Sequence, residues 1–390
     1  MNHKKNPELK PLFLERMKIL LPEKSDYENY LKILKIPPVK SIRCNTLKIT
    51  SSELKRKLED NGWVITQPWK KYPEVMIVEG KSVRQCSQID IAPKSLSADF
   101  SAKNIVNAKK TSNLCATNHN NLKNNSIINK LSPSIPSEAS EFKFMDLEPG
   151  ELGRSLEHLL GYYYIQELAS MLPIIALEPK PKEIVLDLCA APGSKTTQAV
   201  AFMKNSGAII ANEVSMSRLK ILASNLERCG VTNTIITKKE GSILCNELNK
   251  QKFVFDKVLI DAPCSGEGTL RSSPATYIMW NIKTIKSLPR IQKNLIKSAI
   301  SVLKIGGEFI YSTCTHAPEE NEGVIDAILK EFPNIKIEAI NLPINCRDGI
   351  TSWGGHKYSN EVKKSCRIYP HDSNTEGFFI AKLRKLKEVG

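Results

Sequence analysis

Two cysteines stand where a thiol could act as a nucleophile: Cys264 in DAPCSGEGTLR and Cys314 in YSTCTHAPEENEG. Each follows an apolar run of strand character, FVFDKVLIDAP and EFIYST. A thiolate is intrinsically nucleophilic and can split one difficult transfer into two easier steps. A thiol hydrolase would want a histidine base with a defined partnership. His316 lies close to Cys314 in sequence but reads as a loop residue rather than a base. Asp261 closes the strand before Cys264 and brings a carboxyl group to the same crevice. The pair of thiols with this acid makes a stronger constellation than any one member, and on the residues alone either thiol fits the nucleophile's role.

A second chemical stretch is LDLCAAPGSKTTQ, Leu186 to Gln198, which reads as strand, tight turn and helix start. Ala190, Ala191 and Gly193 are small enough to let a ligand approach the backbone. The first N–H groups of the following helix are free to meet an anionic group. A Walker A loop is excluded, because Ser194 separates Gly193 from Lys195 and the upstream glycine is missing. Glu213, in ANEVS, closes the next strand about 20 residues after Gly193, the offset at which an acid reaches ribose hydroxyls. The absence of G-x-G-x-x-G lowers a nicotinamide reading.

These residues need a scaffold that collects strand ends, and the pattern supplies one. IVLDL, AIIANE, TIITKK, FVFDKVLIDAP and EFIYSTCT read as strands. Between and after them APGSKTTQAVAFM, MSRLKILASNLERCG, SLPRIQKNLIKSAISVLKIGG (stopping at Gly306-Gly307) and PEENEGVIDAILKEF read as helices. Such alternation predicts βαβ units and a largely parallel, doubly wound α/β sheet covered on both faces. Upstream, residues 1–35 read as helical, SIRCNTLKIT as a strand, and SSELKRKLEDNGW as a helix with a serine N-cap and a stop at Gly62. VITQPW and EVMIVEG follow as a short strand pair, giving a smaller α+β domain. GELGRSLEHLLGYYYIQELASMLPIIAL reads as helical throughout. At about residues 100–141 the chain turns Asn-, Ser- and Lys-rich and reads as a flexible insertion, unable to bury enough apolar surface to offset its ordering entropy.

The 390 residues carry a net charge of +15 with 41% hydrophobic residues, a globular chain whose basic excess points to a polyanion, most simply nucleic acid. No run of about 18 apolar residues occurs, so the expectation is a soluble protein of the cytoplasm. The ten cysteines form no C-x-x-C and no metal-ligand spacing, so reduced thiols and no metal are expected.

LDLCAAPGSKTT, ANE, DAPCSGEGTLR and YSTCTHAPEENEGVI together resemble the Nol/Nop/Sun family of RNA cytosine-5 methyltransferases. SIRCNTLK resembles the family's N-terminal signature, GYYYIQELASMLP its lead-in helix, and RIYPHDSNTEGFFIAKLRK its last strand pair. The resemblance covers most of the chain outside the Asn-rich stretch. It is closest in character to archaeal or bacterial members, without an RNA-binding module appended after the catalytic domain. It implies a Rossmann-like class I methyltransferase domain at residues 161–390 and an RNA-recognition-like domain at 1–160. S-Adenosylmethionine would be held by Cys189, Ala190, Ala191, Pro192, Gly193, Ser194 and Lys195, with Glu213 on the ribose. Glu240 stands where the family has an Asp at the adenine end, and Asp261 lies between cofactor and target base.

Chemically, a thiolate adding to carbon 6 of cytosine makes carbon 5 able to attack a methyl group. A protonated Asp261 would hydrogen-bond ring nitrogen 3. The family assigns the attack to the T-C thiol, Cys314, and product release to the Pro-Cys thiol, Cys264. In DNA cytosine methyltransferases the Pro-Cys thiol attacks instead. The implied partner is transfer or ribosomal RNA, met by a monomer. Arg43, Lys48, Lys55, Arg56, Lys57 and Arg271 are candidates for backbone contacts. The alternatives are a catalytically silent RNA-binding factor and, less well supported, a DNA methyltransferase.

Overall fold

The computed structural model describes residues 8–82 and 144–387. The stretch at about 100–141, expected to be a flexible insertion, lies outside them. The chain divides into one compact unit formed by Met1–Gly80 with Asp146–Gly390 and another formed by Lys81–Met145. Of the latter, the described part is a two-rung antiparallel ladder, Lys81 opposite Met145 and Ser82 opposite Phe144.

The larger unit begins with helices Pro11–Leu20 and Lys24–Ile33. A small antiparallel sheet follows. Its strands are β1 (Ser41–Cys44), β2 (Trp63–Thr66), β3 (Val75–Ser82) and β5 (Tyr163–Ile165), in the order β2-β3-β1-β5; β4 (Phe144–Met145) is the strand of the ladder with Lys81 and Ser82 in the other unit. Helix Ser51–Asp60 buries Leu54 and Leu58 against Ile42, Trp63 and Met76. Its N-cap is Thr50 rather than a serine: the hydroxyl accepts from the Glu53 N–H at 3.2 Å. The continuous helix expected from GELGRS to SMLPIIAL is broken. Two single turns, Glu151–Arg154 and Leu156–Leu159, precede β5, and helix resumes only at Leu168–Leu177. Tyrosines favour a pleated, half-buried surface, and Tyr163 pairs with Cys44 while Ile165 pairs with Ile42.

The large sheet contains β6 (Ile184–Asp187), β7 (Ala208–Asn212), β8 (Thr234–Thr237), β9 (Phe255–Asp261), β10 (Leu303–Thr313), β11 (Ile335–Glu338) and β12 (Arg347–Asp348). After the small hairpin of β13 (Ser352–Trp353) and β14 (His356–Lys357) come β15 (Cys366–Ile368) and β16 (Phe378–Lys385). The order is β12-β15-β16-β10-β9-β6-β7-β8, with β11 also on β16. Strands β6 to β10 run parallel and β16 runs antiparallel to β10. This is the doubly wound, Rossmann-like α/β fold anticipated from the alternation. Successive strands leave β6 in opposite directions, which places a switch point between β6 and β9 where such sheets bind ligands.

Alternate residues of the central strands feed two separate cores. Leu186, Val258, Ile260, Phe309 and Tyr311 face one side with Ile296, Ile300 and Ile325. Val185, Leu259 and Ile310 face the other with Leu172, Val200 and Met203. Helix Ile282–Ser301 stops five residues before the expected Gly306-Gly307. Those glycines lie instead inside β10, where its pairing with β9 shifts register between Leu303 and Glu308 and Gly306 takes φ +78°. Helix Gly241–Lys250 had no sequence expectation. No helix among the described residues is long and apolar enough to cross a membrane.

Candidate active site

The turn after β6 is cross-braced. Gly193 caps helix Ser194–Met203 at φ +103°, and a Cβ there would come within 3.0 Å of the Leu222 side chain, so only glycine keeps the turn this close to its neighbour. Ala190 and Ala191 are buried beside it, and the Ala190 N–H donates to the Asn212 carbonyl at 2.9 Å. Glu213 is 2% exposed, accepts from the Ser215 N–H at 2.9 Å and pairs with Arg218 at 3.3 Å. Arg218 also donates to the Ala191 carbonyl at 2.5 Å, so it ties the acid to the turn. Asn212 joins the same edge by donating to the Leu188 and Lys239 carbonyls. Neither Arg218 nor Asn212 carries a motif that would have singled it out. Glu240 is exposed at the start of helix Gly241–Lys250, just past β8, and accepts from the Ser242 hydroxyl at 2.7 Å. Burial pushes the Cys189 thiol far above the usual range, so it packs as a neutral group.

These residues fit an adenosyl cofactor: a close-approach turn that excludes Cβ, a helix start, and a braced carboxylate at the next strand end. A buried carboxylate oxygen of Asp187, at the tip of β6, has no hydrogen-bond partner among the described residues. Its other oxygen accepts from the Thr196 hydroxyl at 2.8 Å, and burial raises the group to about 7.

Lys195 departs from its expected place among the turn residues. Its ammonium crosses the crevice to Asp261 at 2.7 Å, with a second bond to the Ser170 hydroxyl at 3.0 Å. The other Asp261 oxygen accepts from the Ser312 hydroxyl at 2.7 Å. The carboxylate is therefore an acceptor on both sides, from the ammonium of Lys195 and from the hydroxyl of Ser312.

Beyond Asp261 the two candidate thiols meet, with Sγ to Sγ 3.1 Å. The Cys314 N–H donates to the Cys264 sulfur at 3.3 Å. The hydrogen bond with Cys314, then burial, holds Cys264 well above an ordinary thiol, so it stays protonated beside its neighbour. The two loops are stitched to a third: the Gly268 N–H donates to the Cys314 carbonyl at 2.8 Å, and the Gly377 N–H to the Gly268 carbonyl at 2.9 Å. A Cβ on Gly268 would lie 2.1 Å from the Gly377 carbonyl oxygen, and one on Gly377 would lie 2.3 Å from the His316 ring. His316 is fully buried and its imidazole is lowered to about 3 by that burial, so it is neutral and supplies no base. Arg367 donates twice to the His316 carbonyl and pairs with the buried Glu322.

Under the Cys264 loop lies Glu320, which accepts from the Ser265 N–H at 3.0 Å and the Gln292 amide at 2.9 Å. Burial raises its carboxyl to about 7, from an ordinary 4.5. Between those values the folded chain keeps a proton that the unfolded chain has lost. Its contribution is therefore full at low pH and disappears as pH rises through 7. Glu320→Gln removes that slope. Melting curves should show the variant gaining on the wild type by roughly a few degrees between pH 5 and 8; a constant difference would contradict the assignment.

Two of the expected RNA-backbone contacts are corrected. Arg43 is buried and donates to Gln166 Oε1, the Ser194 carbonyl at 2.8 Å and the Thr197 hydroxyl at 2.8 Å, so it props the cofactor-turn helix from β1. Arg271 is buried on the carbonyls of Ile36, Pro37 and Thr375 and on the Asn374 side chain. A charged residue reads as surface unless its acceptors are known, and here both sets lie far off in the chain. Lys48 is exposed but donates to the Leu160 and Arg228 carbonyls. Lys55, Arg56 and Lys57 stand on helix Ser51–Asp60, and the first two line a surface groove. Asp26, His371 and Asp372 bring potential metal ligands together, but Arg347 takes both carboxylates at 2.6 Å.

Comparison with known proteins gives the same family as the motifs. The chain is 43% identical over 253 residues to the tRNA (cytosine(49)-C(5))-methyltransferase of Pyrococcus abyssi, covering 65% of this chain and 79% of that one. It is 32% identical over 394 residues to the ribosomal RNA small subunit methyltransferase F of Erwinia tasmaniensis, covering 100% of this chain and 66% of that one. It spans 48% of the corresponding Vibrio cholerae protein, so it matches about half to about two thirds of the length of these bacterial relatives. Among solved structures, a methyltransferase homologue from Pyrococcus horikoshii superimposes with TM-score 0.65 at 30% identity, over 97% of this chain and 100% of that one. NSun6 from the same organism, solved with SFG, gives 0.68 at 25% identity, over 97% and 99%. The family model for the 16S rRNA methyltransferase RsmB/F matches residues 174–384. With motifs, fold and relatives in agreement, the chain belongs to the RsmB/F family of RNA methyltransferases.

Proposed function

We propose that the chain transfers a methyl group from S-adenosylmethionine to carbon 5 of a cytosine in RNA, through a covalent adduct at Cys314. The observation that carries this reading is the meeting of Cys314, Cys264 and the Lys195–Asp261 pair at the carboxyl ends of β9 and β10. The named activities of the relatives support it, and they point to transfer or ribosomal RNA as the substrate.

The Cys189–Ser194 turn, Glu213 and Glu240 hold the cofactor, whose electrophilic methyl group is the chemistry it supplies when bound. Cys314 adds as thiolate to carbon 6 of the extruded base. Cys264, kept as a thiol, donates towards the Cys314 sulfur. Lys195 and Asp261 carry the proton that ring nitrogen 3 needs as the adduct forms, with Asp261 aimed by Ser312. After methyl transfer the proton on carbon 5 leaves to a base, the C6–S bond breaks, and Cys264 assists release. We assign residues 161–390 the catalytic role and 1–160 RNA recognition, and expect a cytoplasmic monomer.

The test is transfer from methyl-labelled cofactor to unmodified tRNA and rRNA, with bisulfite sequencing of the product. The expected result is label at one or a few protected cytosines. No transfer to any fraction would sink the reading.

A further inference from the structure

Helix Ile282–Ser301 carries five basic and no acidic residues along twenty positions. Lys283, Lys286, Arg290 and Lys293 recur at steps of three and four, which on a helix of 3.6 residues per turn keeps them on one face, within about 80° of each other. The first three are exposed and Lys293 is half-buried. None of the four makes an ion pair or hydrogen bond among the described residues, whereas Lys297, one step further, pairs with Glu331 at 2.7 Å. The opposite face is buried through Ile285, Gln292, Ile296 and Ala299. Helix stability does not explain the stripe. Lys283 and Lys286 sit at the amino end, where the macrodipole disfavours cations. The last turn, where cations help, has none.

The stripe's position relative to the chemistry is direct. On the inner face Gln292 donates to the Pro263 carbonyl, in the loop that carries Cys264, at 3.0 Å. Just before the helix, Ile278 and Met279 are 68% and 69% exposed, on a segment that Lys10 ties down through the Ile278 and Trp280 carbonyls. A free cationic row about 15 Å long beside exposed apolar side chains fits a polyanion that also presents flat apolar faces. That describes RNA with unpaired bases.

We infer that the outer face of helix Ile282–Ser301 is a docking track for the phosphate backbone of the substrate RNA, placed to deliver the strand to the thiol loop. This rests on the RNA-methyltransferase reading above. Each phosphate contact contributes about 0.7–0.9 to the slope of log affinity against log salt. The full chain carrying Lys283→Gln, Lys286→Gln, Arg290→Gln and Lys293→Gln should bind an unmodified tRNA transcript with a slope smaller by about 3, and melt like the wild type. A charge-matched control carrying Lys238→Gln, Lys250→Gln, Lys336→Gln and Lys363→Gln should leave the slope within about 1 of wild type. Equal losses in both would make the effect bulk charge and overturn the track. An unchanged slope in the stripe variant, with wild-type methylation intact, would overturn the track and leave the functional reading standing. Loss of binding to phosphatidylglycerol vesicles with an unchanged RNA slope would give the face to a membrane instead. A wild type that neither binds nor methylates RNA would remove both.

Discussion

Cys314→Ala should abolish methyl transfer, and Cys264→Ala should leave protein covalently attached to RNA. Deleting a nucleophile that works as a unit with its neighbours costs on the order of 10⁶-fold in turnover, which places the first variant below detection. The second keeps the attacking sulfur but removes the thiol 3.1 Å away. Attack can then proceed while release stalls, and a denaturing gel of enzyme with labelled RNA should show a shifted band. The double variant should show none. An adduct with Cys314→Ala and none with Cys264→Ala would mean that the roles are exchanged. The raised pKa of Cys264 opposes that outcome, because a thiol that holds its proton is a poor first nucleophile.

The largest stability effect is expected at Arg367. Its guanidinium is buried and fully engaged: Glu322 on two nitrogens, the His316 carbonyl on two, and the Tyr369 hydroxyl. Glu322 is itself 0% exposed. Arg367→Met strands that carboxylate in the interior, at a cost of about 3–5 kcal/mol. Arg367→Met with Glu322→Leu removes both charges and should recover much of the loss, since apolar replacement of a whole buried pair is often close to neutral. Denaturant midpoints of the two variants decide the matter. A double variant no better than the single would show that the His316 carbonyl, not the stranded acid, is what suffers.

The doubly wound sheet was legible because its strands are short apolar runs bounded by helical periodicity. Both thiols, Asp261, Glu213 and the Gly193 turn were legible because each closes one of those runs. Three kinds of feature were not. Local elements escaped where composition was ambiguous: YYI carries no helix signal of its own but was absorbed by helical neighbours, and GSILCNELNK drew no assignment. Gly306-Gly307 looked like a helix stop because a glycine in a strand irregularity carries the same letters. Partnerships across the fold were invisible altogether. Lys195 and Asp261 stand 66 positions apart, and nothing in either motif says that the lysine leaves the turn to meet the acid. Arg43 looked like a surface charge for the same reason, its acceptors being supplied by a helix 151 positions later.

The main-chain clasp through Gly268 and Gly377 has a consequence for the order of events during synthesis. Both sulfurs are made well before Gly377, yet the Cys314 carbonyl is anchored to Gly268, which is anchored in turn to the start of β16. A nascent polypeptide that has emerged only as far as Cys314 owns its two thiols but not the third segment that spaces them. The reactive pair is therefore assembled late.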